Sequence, residues 1–292
     1  MNNTSMTAMM SLFARAHHQS YAHQIIKDEI AKKLLTDTEY ESISKNLNDG
    51  AGFFLPDGIA DLDLIMNQII SPTVLGRSKF AEKSLKLAVK LGAKQYAVLA
   101  SGYDTSAYRI DLNGIKAFEI DKEEMIDDKI SRLEKAEINH SGVTFISADL
   151  TDRNLTSIIT ANGFNKNKIS FISALGIIYY LNKADLKSLL LCLADITPKG
   201  STLVFDYPNE KYHGKIQALA KGAGEEMQSK YSYREIERLL SDCGFAIYEH
   251  LSETEINQQL FLPFNTIYKT NPIKAQEGVN FCLCVRKNHT FL

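Results

Sequence analysis

The chain has 292 residues, 45% of them hydrophobic and 23% charged, with 33 basic against 35 acidic side chains. At roughly 100–200 residues per domain this is one large domain or a core with an appendage, and the apolar content excludes a disordered chain. A net charge of -2 leaves no surplus to neutralise a phosphate backbone, so no nucleic-acid partner is expected.

Residues 1–20 show no basic stretch followed by an apolar one, so no secretory signal is read. Ala8–Ile30 has apolar positions at helical spacing (Met9, Leu12, Phe13, Ala16) and is expected to be helical. Ile59–Ile70 follows after a turn-like Leu55–Gly58. Ser71-Pro72 then reads as a helix start, because serine can cap and proline suits the first turn. That helix is expected to turn Phe80, Leu87 and Leu91 inward and to end near Gly92.

From Gln95 the rhythm changes. Short apolar runs at Tyr96–Ala100, Ala117–Ile120, Val143–Ser147, Ile169–Ala174 and Thr202–Tyr207 alternate with helical patterns such as Glu123–Leu133 and Asp185–Ala194. This is the signature of βαβ units around a buried parallel sheet. The longest nearly apolar run, Ile169–Leu181, carries two serines and falls short of the about 20 residues of a membrane span. A soluble, cytoplasmic protein without a membrane partner is expected.

Ser232-Tyr-Arg-Glu235 is a capping box for a helix with Ile236, Leu239, Leu240 and Cys243 inward, closed by Gly244. Phe245–Leu251 and Asn280–Arg286 read as strands with no clear helix between them. A parallel crossover needs a packed connection, so the last strand is expected to pair antiparallel. Five parallel strands plus an edge pair with one reversed member is the sheet of the common S-adenosylmethionine-dependent methyltransferases. Cys282 and Cys284 alternate onto one strand face, while Cys192 and Cys243 fall on helix stripes. No spacing is that of a redox pair or zinc knuckle, so buried thiols are expected and a metal is not.

Three strand tips carry candidate chemistry. The first strand runs through Val98-Leu-Ala-Ser-Gly-Tyr-Asp-Thr105, where Gly102 permits close approach of a ligand to the backbone. The second ends in Phe118-Glu-Ile-Asp121, whose carboxylate could accept from ribose hydroxyls or, with Glu124, cap the next helix. The third ends in Ser147-Ala-Asp149-Leu150, where Asp149 could accept from an adenine amine or cap a helix, with the Leu150 N–H facing a ring nitrogen. The three tips share the carboxyl edge of the sheet, where open α/β sheets bind ligands.

Arg77 with Gln95–Arg109 (QYAVLASGYDTSAYR), Phe118–Lys129 (FEIDKEEMIDDK), Ser147–Asp152 (SADLTD) and Phe171–Leu181 (FISALGIIYYL) resembles the leucine carboxyl methyltransferase family. That family includes the small-molecule O-methyltransferases of polyketide biosynthesis. The resemblance runs from Thr7-Ala8 to the last strand. It implies an α/β, Rossmann-like class I methyltransferase fold with an N-terminal helical cap over 1–92. The S-adenosylmethionine-binding core would span 93–292, with an insertion at 208–231.

The resemblance also implies roles. Arg77 would clamp the methionine carboxylate, a task suited to a guanidinium. Ala100, Ser101 and Gly102 would form the turn on the cofactor, Asp121 would hold the ribose, and Asp149 with Leu150 would address the adenine. Tyr180 matches an aromatic near the emerging methyl group and is the catalytic candidate. Two positions depart from the family: Ala100 replaces the first glycine of Leu-Gly-x-Gly, and Leu175 replaces the glutamate of Ala-Glu-Gly.

A methyl transfer to a small-molecule hydroxyl or carboxyl is therefore expected. The alternatives are a protein-carboxyl methyltransferase and a binder of the cofactor with lost catalysis. A nicotinamide-dependent oxidoreductase is disfavoured by the missing G-x-G-x-x-G. Candidate bases for a phenolic acceptor are His17, His18, Asp206 and His213, none singled out by spacing. The glycine-bearing Pro208–Tyr231 reads as a lid over the acceptor side.

Overall fold

The computed structural model describes residues 5–55 and 58–287; the turn expected at Leu55–Gly58 lies partly outside them. The apolar runs become strands nearly at their predicted edges: β1 (Gln95–Leu99), β2 (Lys116–Asp121), β3 (Val143–Ser147), β4 (Ser170–Ala174), β5 (Thr202–Pro208), β6 (Phe245–Leu251) and β7 (Val279–Arg286). They form one sheet in the order β3-β2-β1-β4-β5-β7-β6. All pairings among β1 to β5 are parallel, and β7 runs antiparallel to both β5 and β6. This is the expected class I sheet with its reversed last strand. Every residue of β1 and β4 is buried, because helices cover both faces.

One face packs Ile172, Leu203 and Phe205 against the Lys183–Ile196 and Tyr233–Asp242 helices. The other packs Tyr96, Phe171 and Phe281 against the Ser71–Lys90 helix. A third cluster joins Leu12, Phe13 and Met66 of the N-terminal region to Tyr103, Met125 and Leu133. Cys243, Cys282 and Cys284 are buried free thiols and Cys192 is half-buried. Among the described residues, no helix is long and apolar enough to cross a membrane.

Several local readings are corrected. The first helix spans Met6–His18 and does not continue to Ile30. Gln19 closes it, and Asp28 caps a separate Glu29–Leu34 helix by accepting from the Ala31 N–H at 3.0 Å. The Ser71–Lys90 helix does begin at Ser71-Pro72, with proline in its first turn, but no side chain caps it. Helical structure already begins at Leu62, where Asp61 caps it, and passes through a π turn at Met66–Ile70. The wide turn stands just ahead of Pro72, whose missing N–H removes a rung of the ladder.

Leu87 and Leu91, expected inward, are 41% and 74% exposed. The buried face instead runs through Phe80, Ala81, Ser84 and Leu85. Phe80 is thus inward as expected, and the small Ala81 and Ser84 share its face where the helix packs on the sheet. Residues 253–267 between β6 and β7, expected to lack a helix, are helical throughout. The last strand is reversed even so.

Candidate active site

Strand order reverses at β1, with β2 on one side and β4 on the other. The strand ends diverge there, which is where open α/β sheets place ligands. A cavity of about 520 Å³ lies at this point, within the usual size for small-molecule sites. Its walls come from the β1 tip, the β4 tip, the Ser71–Lys90 helix, the first helix and the insertion after β5.

The β1 turn is held from below. Gly102 has φ +44° and Ala100 has φ +46°. The Gly102 N–H donates to Asp121 Oδ2 at 2.7 Å, and the Lys122 N–H donates to Asp121 Oδ1 at 2.8 Å. Asp121 therefore fastens two strand tips together and does not cap the Glu123–Lys135 helix, which has no side-chain cap. Burial raises its carboxyl above the ordinary range, against the pull of those two N–H groups. Arg15 reaches the turn from the first helix: it donates to the Tyr103 carbonyl at 2.7 Å and to Asp28 at 3.0 Å. Below β2, Lys129 and Glu119 form a fully buried pair at 2.6 Å. Burial pushes the Glu119 carboxyl up to about 7 against the attraction of Lys129.

The opposite wall centres on Arg77. Its guanidinium donates to Asp206 Oδ2 at 3.3 Å and to Ser11 Oγ at 3.1 Å. Asp206, fully buried on β5, also accepts from the Gly176 N–H at 2.6 Å. Gly176 has φ +74°, and a Cβ there would lie 2.5 Å from Arg77 Nη1. The glycine is thus required by both backbone and neighbour. Leu175 and Tyr180 lie beside it on the cavity wall. Burial raises the Tyr180 phenol pKa, while a hydrogen bond with Thr7 opposes the rise.

The roof is a junction. Glu225, in the insertion, accepts from the Met6 N–H at 2.8 Å, the Thr7 N–H at 3.2 Å and the Thr7 hydroxyl at 2.5 Å. Its carboxylate sits at the N-terminus of the first helix, where unpaired N–H groups and the dipole favour a negative charge. The insertion is partly ordered as the Lys215–Gly222 helix, with Tyr212, Ile216, Leu219 and Ala220 on the wall.

Of the sequence candidates, Arg77, Ala100, Ser101, Gly102, Asp121, Leu175 and Tyr180 share this one cavity. Asp149 and Leu150 are not among its wall residues. Asp149 is exposed and turns back to accept from the Thr151 N–H at 2.8 Å and hydroxyl at 2.7 Å. Those bonds hold its carboxyl below the ordinary range. Leu150 is buried in the sheet core. None of the three candidate histidines reaches the wall. His17 bonds Tyr40 and Asp63, burial pushes His18 down to about 4, and His213 lies beside Lys230. Asp206 is committed to Arg77 and Gly176.

Sequence reasoning missed Arg15, Asp104 and Glu225. A lone arginine within the apolar stripe Leu12–Ala16 was the available signal for Arg15, since buried arginines need partners. No periodicity singled out Glu225.

The family model described as leucine carboxyl methyltransferase matches residues 8–194. A Bacillus subtilis (strain 168) protein named "Putative S-adenosyl-L-methionine-dependent methyltransferase YktD" is 34% identical, over 98% of this chain and 99% of its own. A Mycobacterium avium (strain 104) protein with the same description is 26% identical over 75% of this chain and 74% of its own. Among solved structures, a DUF574 family protein from Streptomyces avermitilis superposes with a TM-score of 0.62 at 12% identity, covering 98% of this chain and 99% of that one. A Thermobifida fusca structure described as that of "a putative methyltransferase" gives 0.58 at 15% identity, covering 98% and 96%. At these identities the structures speak to the fold alone.

Proposed function

Because this chain belongs to the leucine carboxyl methyltransferase family, we propose that it is an S-adenosylmethionine-dependent O-methyltransferase whose acceptor is the hydroxyl of a small, largely apolar molecule. The observation that carries this reading is the convergence of Arg77, Ser101, Gly102, Asp121 and Tyr180 on one cavity. The wall suits an adenosyl amino acid. Ser101 Oγ is buried there without a hydrogen-bond partner among the described residues. Gly102 presents backbone without a side chain, and Arg77 and Asp121 offer opposite charges at separate places.

Bound S-adenosylmethionine supplies a sulfonium whose methyl carbon is open to in-line displacement. Arg77, kept in place by Asp206 and Ser11, binds the carboxylate of the methionine end. Asp121 accepts from the ribose hydroxyls, using lone pairs not taken by Gly102 and Lys122. Asp149 and the Leu150 N–H, one strand further out and beyond this cavity's wall, would serve the adenine, Asp149 through the oxygen that Thr151 leaves unbonded. Tyr180 borders the space in which the acceptor oxygen stands. Orientation at near-attack distance supplies a large share of the acceleration, about 7–11 kcal/mol in favourable cases.

The acceptor side argues for hydroxyl over carboxyl. Met6, Met10, Tyr212, Ile216, Leu219 and Met227 line it, together with Glu225 and Glu226. The wall's cations are Arg15, Arg77 and Lys122. Arg15 is committed to Asp28 and Tyr103, Arg77 to Asp206 and the cofactor, and Lys122 stands at the β2 tip. On that side an anionic acceptor, including a protein C-terminus, would meet two acids and, among the described residues, no cation placed to face it. A second reading, a binder of the cofactor that has lost catalysis, rests on Leu175 and Ala100.

Calorimetry with S-adenosylmethionine and S-adenosylhomocysteine, followed by methyl release over phenols, alcohols and carboxylic acids, tests these readings. Binding with ether products is expected. Ester products would overturn the hydroxyl assignment, and binding with no product from any acceptor would favour lost catalysis.

A further inference from the structure

The proposed cofactor carries an ammonium beside its carboxylate, and Arg77 can serve only the carboxylate. Leu175 offers hydrocarbon at the β4 tip, where the family resemblance calls for glutamate. The ammonium must find its acceptor elsewhere on the wall, because a buried cation without a partner is costly.

Among the described residues the wall holds four carboxylates: Asp104, Asp121, Glu225 and Glu226. Asp121 has one oxygen on the Gly102 N–H and the other on the Lys122 N–H, and it faces the ribose position. Glu225 is occupied by three donors from Met6 and Thr7. Glu226 is exposed and pairs with Lys221 at 2.8 Å. Asp104 differs from all three. Its Oδ1 accepts from the Ser106 N–H at 2.7 Å and from the Ser106 hydroxyl. Its Oδ2 carries no hydrogen bond among the described residues.

We propose, resting on the cofactor reading above, that Asp104 Oδ2 accepts the ammonium of the methionine end and so does the work that Leu175 gives up. Asp104 stands two residues beyond Gly102, on the turn that touches the cofactor. Burial would raise its carboxyl, but Arg15, Lys129, the Ser106 hydroxyl and Arg109 together bring it below the ordinary range, so it is ionised at neutral pH. The two arginines do not compete for Oδ2. Arg15 bonds Asp28 and the Tyr103 carbonyl, and Arg109 bonds Thr105 and Glu82.

The test uses two probes, S-adenosylhomocysteine and its desamino analogue, which keeps the carboxylate and lacks the amine. Asp104→Asn retains an acceptor for Ser106 and thus the local turn. It is expected to weaken S-adenosylhomocysteine about ten- to a hundredfold, the worth of one charge-assisted hydrogen bond, and to leave the analogue unchanged. Adding Leu175→Glu to Asp104→Asn should restore the first ligand without affecting the second. Equal losses for both ligands, or no loss for either, would overturn the assignment of Asp104 while the cofactor reading stands. If the unaltered protein binds neither ligand, the cofactor reading fails and the assignment falls with it.

Discussion

The two sides of the cavity are built differently. On the cofactor side, buried and half-buried polar groups are tied in series: Arg77 to Asp206 to the Gly176 N–H, and the Gly102 N–H to Asp121 to the Lys122 N–H. On the acceptor side, apolar and aromatic side chains meet under a roof whose tie to the first helix is the half-buried carboxylate of Glu225. Directional bonds over-determine one wall, whereas the other depends on contact surface and scattered ties, among them Glu225 to the first helix and Lys215 to the Phe54 carbonyl. A shared methyl donor needs a fixed cradle, and acceptor choice can be left to segments that re-pack.

The largest effect should come from the fixed side. Asp206→Ala leaves the Arg77 guanidinium and the Gly176 N–H facing a buried hole. Removal of one partner from such a pair costs about 3–5 kcal/mol. A large drop in the urea midpoint is expected, and an unchanged midpoint would erase the contrast between the walls.

Next in size is a pH effect at the far end of the first helix, which anchors the roof. His18 is buried, accepts from the Ile25 N–H at 2.8 Å, and is pushed down to about 4 by burial and then by His17. In the unfolded chain it gains its proton near the ordinary value of 6.5. The unfolded state therefore binds more protons between these limits. The stabilisation is complete above pH 6.5 and is lost as pH falls through the folded value, at about 3 kcal/mol in all. Urea midpoints at pH 7, 6 and 5 should decline, and the decline should be shallower in His18→Gln. Parallel pH profiles for the two proteins would show that the imidazole does not anchor the helix.

The roof junction should cost less. Glu225→Gln weakens the contact with the helix N-terminus by about 1 kcal/mol, the scale of a charge at a helix end. Faster amide exchange at Thr7 and through Lys215–Gly222 is expected, with S-adenosylhomocysteine affinity within about twofold of the unaltered protein. A large loss of that affinity would mean that the roof belongs to the cofactor side.

This contrast also explains what could be read in the sequence. Strands were legible because β1, β4 and β5, buried on both faces, are mostly apolar runs, broken by few polar residues such as Gln95, Ser170, Ser173 and Asp206. Arg77, Gly102 and Asp121 were legible because strand tips and a family pattern mark them. The roof was not, since Glu225 acts through backbone N–H groups more than 200 residues away, and no local rhythm encodes such a partner. The inner face of the Ser71–Lys90 helix was read in part: Phe80 is buried as expected, whereas Leu87 and Leu91 are exposed and the small Ala81 and Ser84 face inward. Asp149 was placed by its strand tip and the family pattern, neither of which encodes the turn it makes with Thr151.

The smallest predicted effect concerns Ala100, whose backbone has φ +46° on the cofactor wall. An L-residue in the left-handed region is disfavoured by roughly 1–2 kcal/mol, because its Cβ crowds the following carbonyl. Glycine escapes that strain but loses about 0.5–1 kcal/mol in chain entropy on folding. Ala100→Gly should therefore stabilise the protein by about 0.5–1 kcal/mol, a Tm rise of about 1–3 °C for a chain of this size. Removal of the methyl group should at the same time tighten S-adenosylhomocysteine if Ala100 crowds the ligand, and leave its affinity unchanged if the turn already accommodates it. A fall in Tm would show that the β1 turn draws net stability from the alanine methyl, and that the cofactor wall is packed as well as bonded.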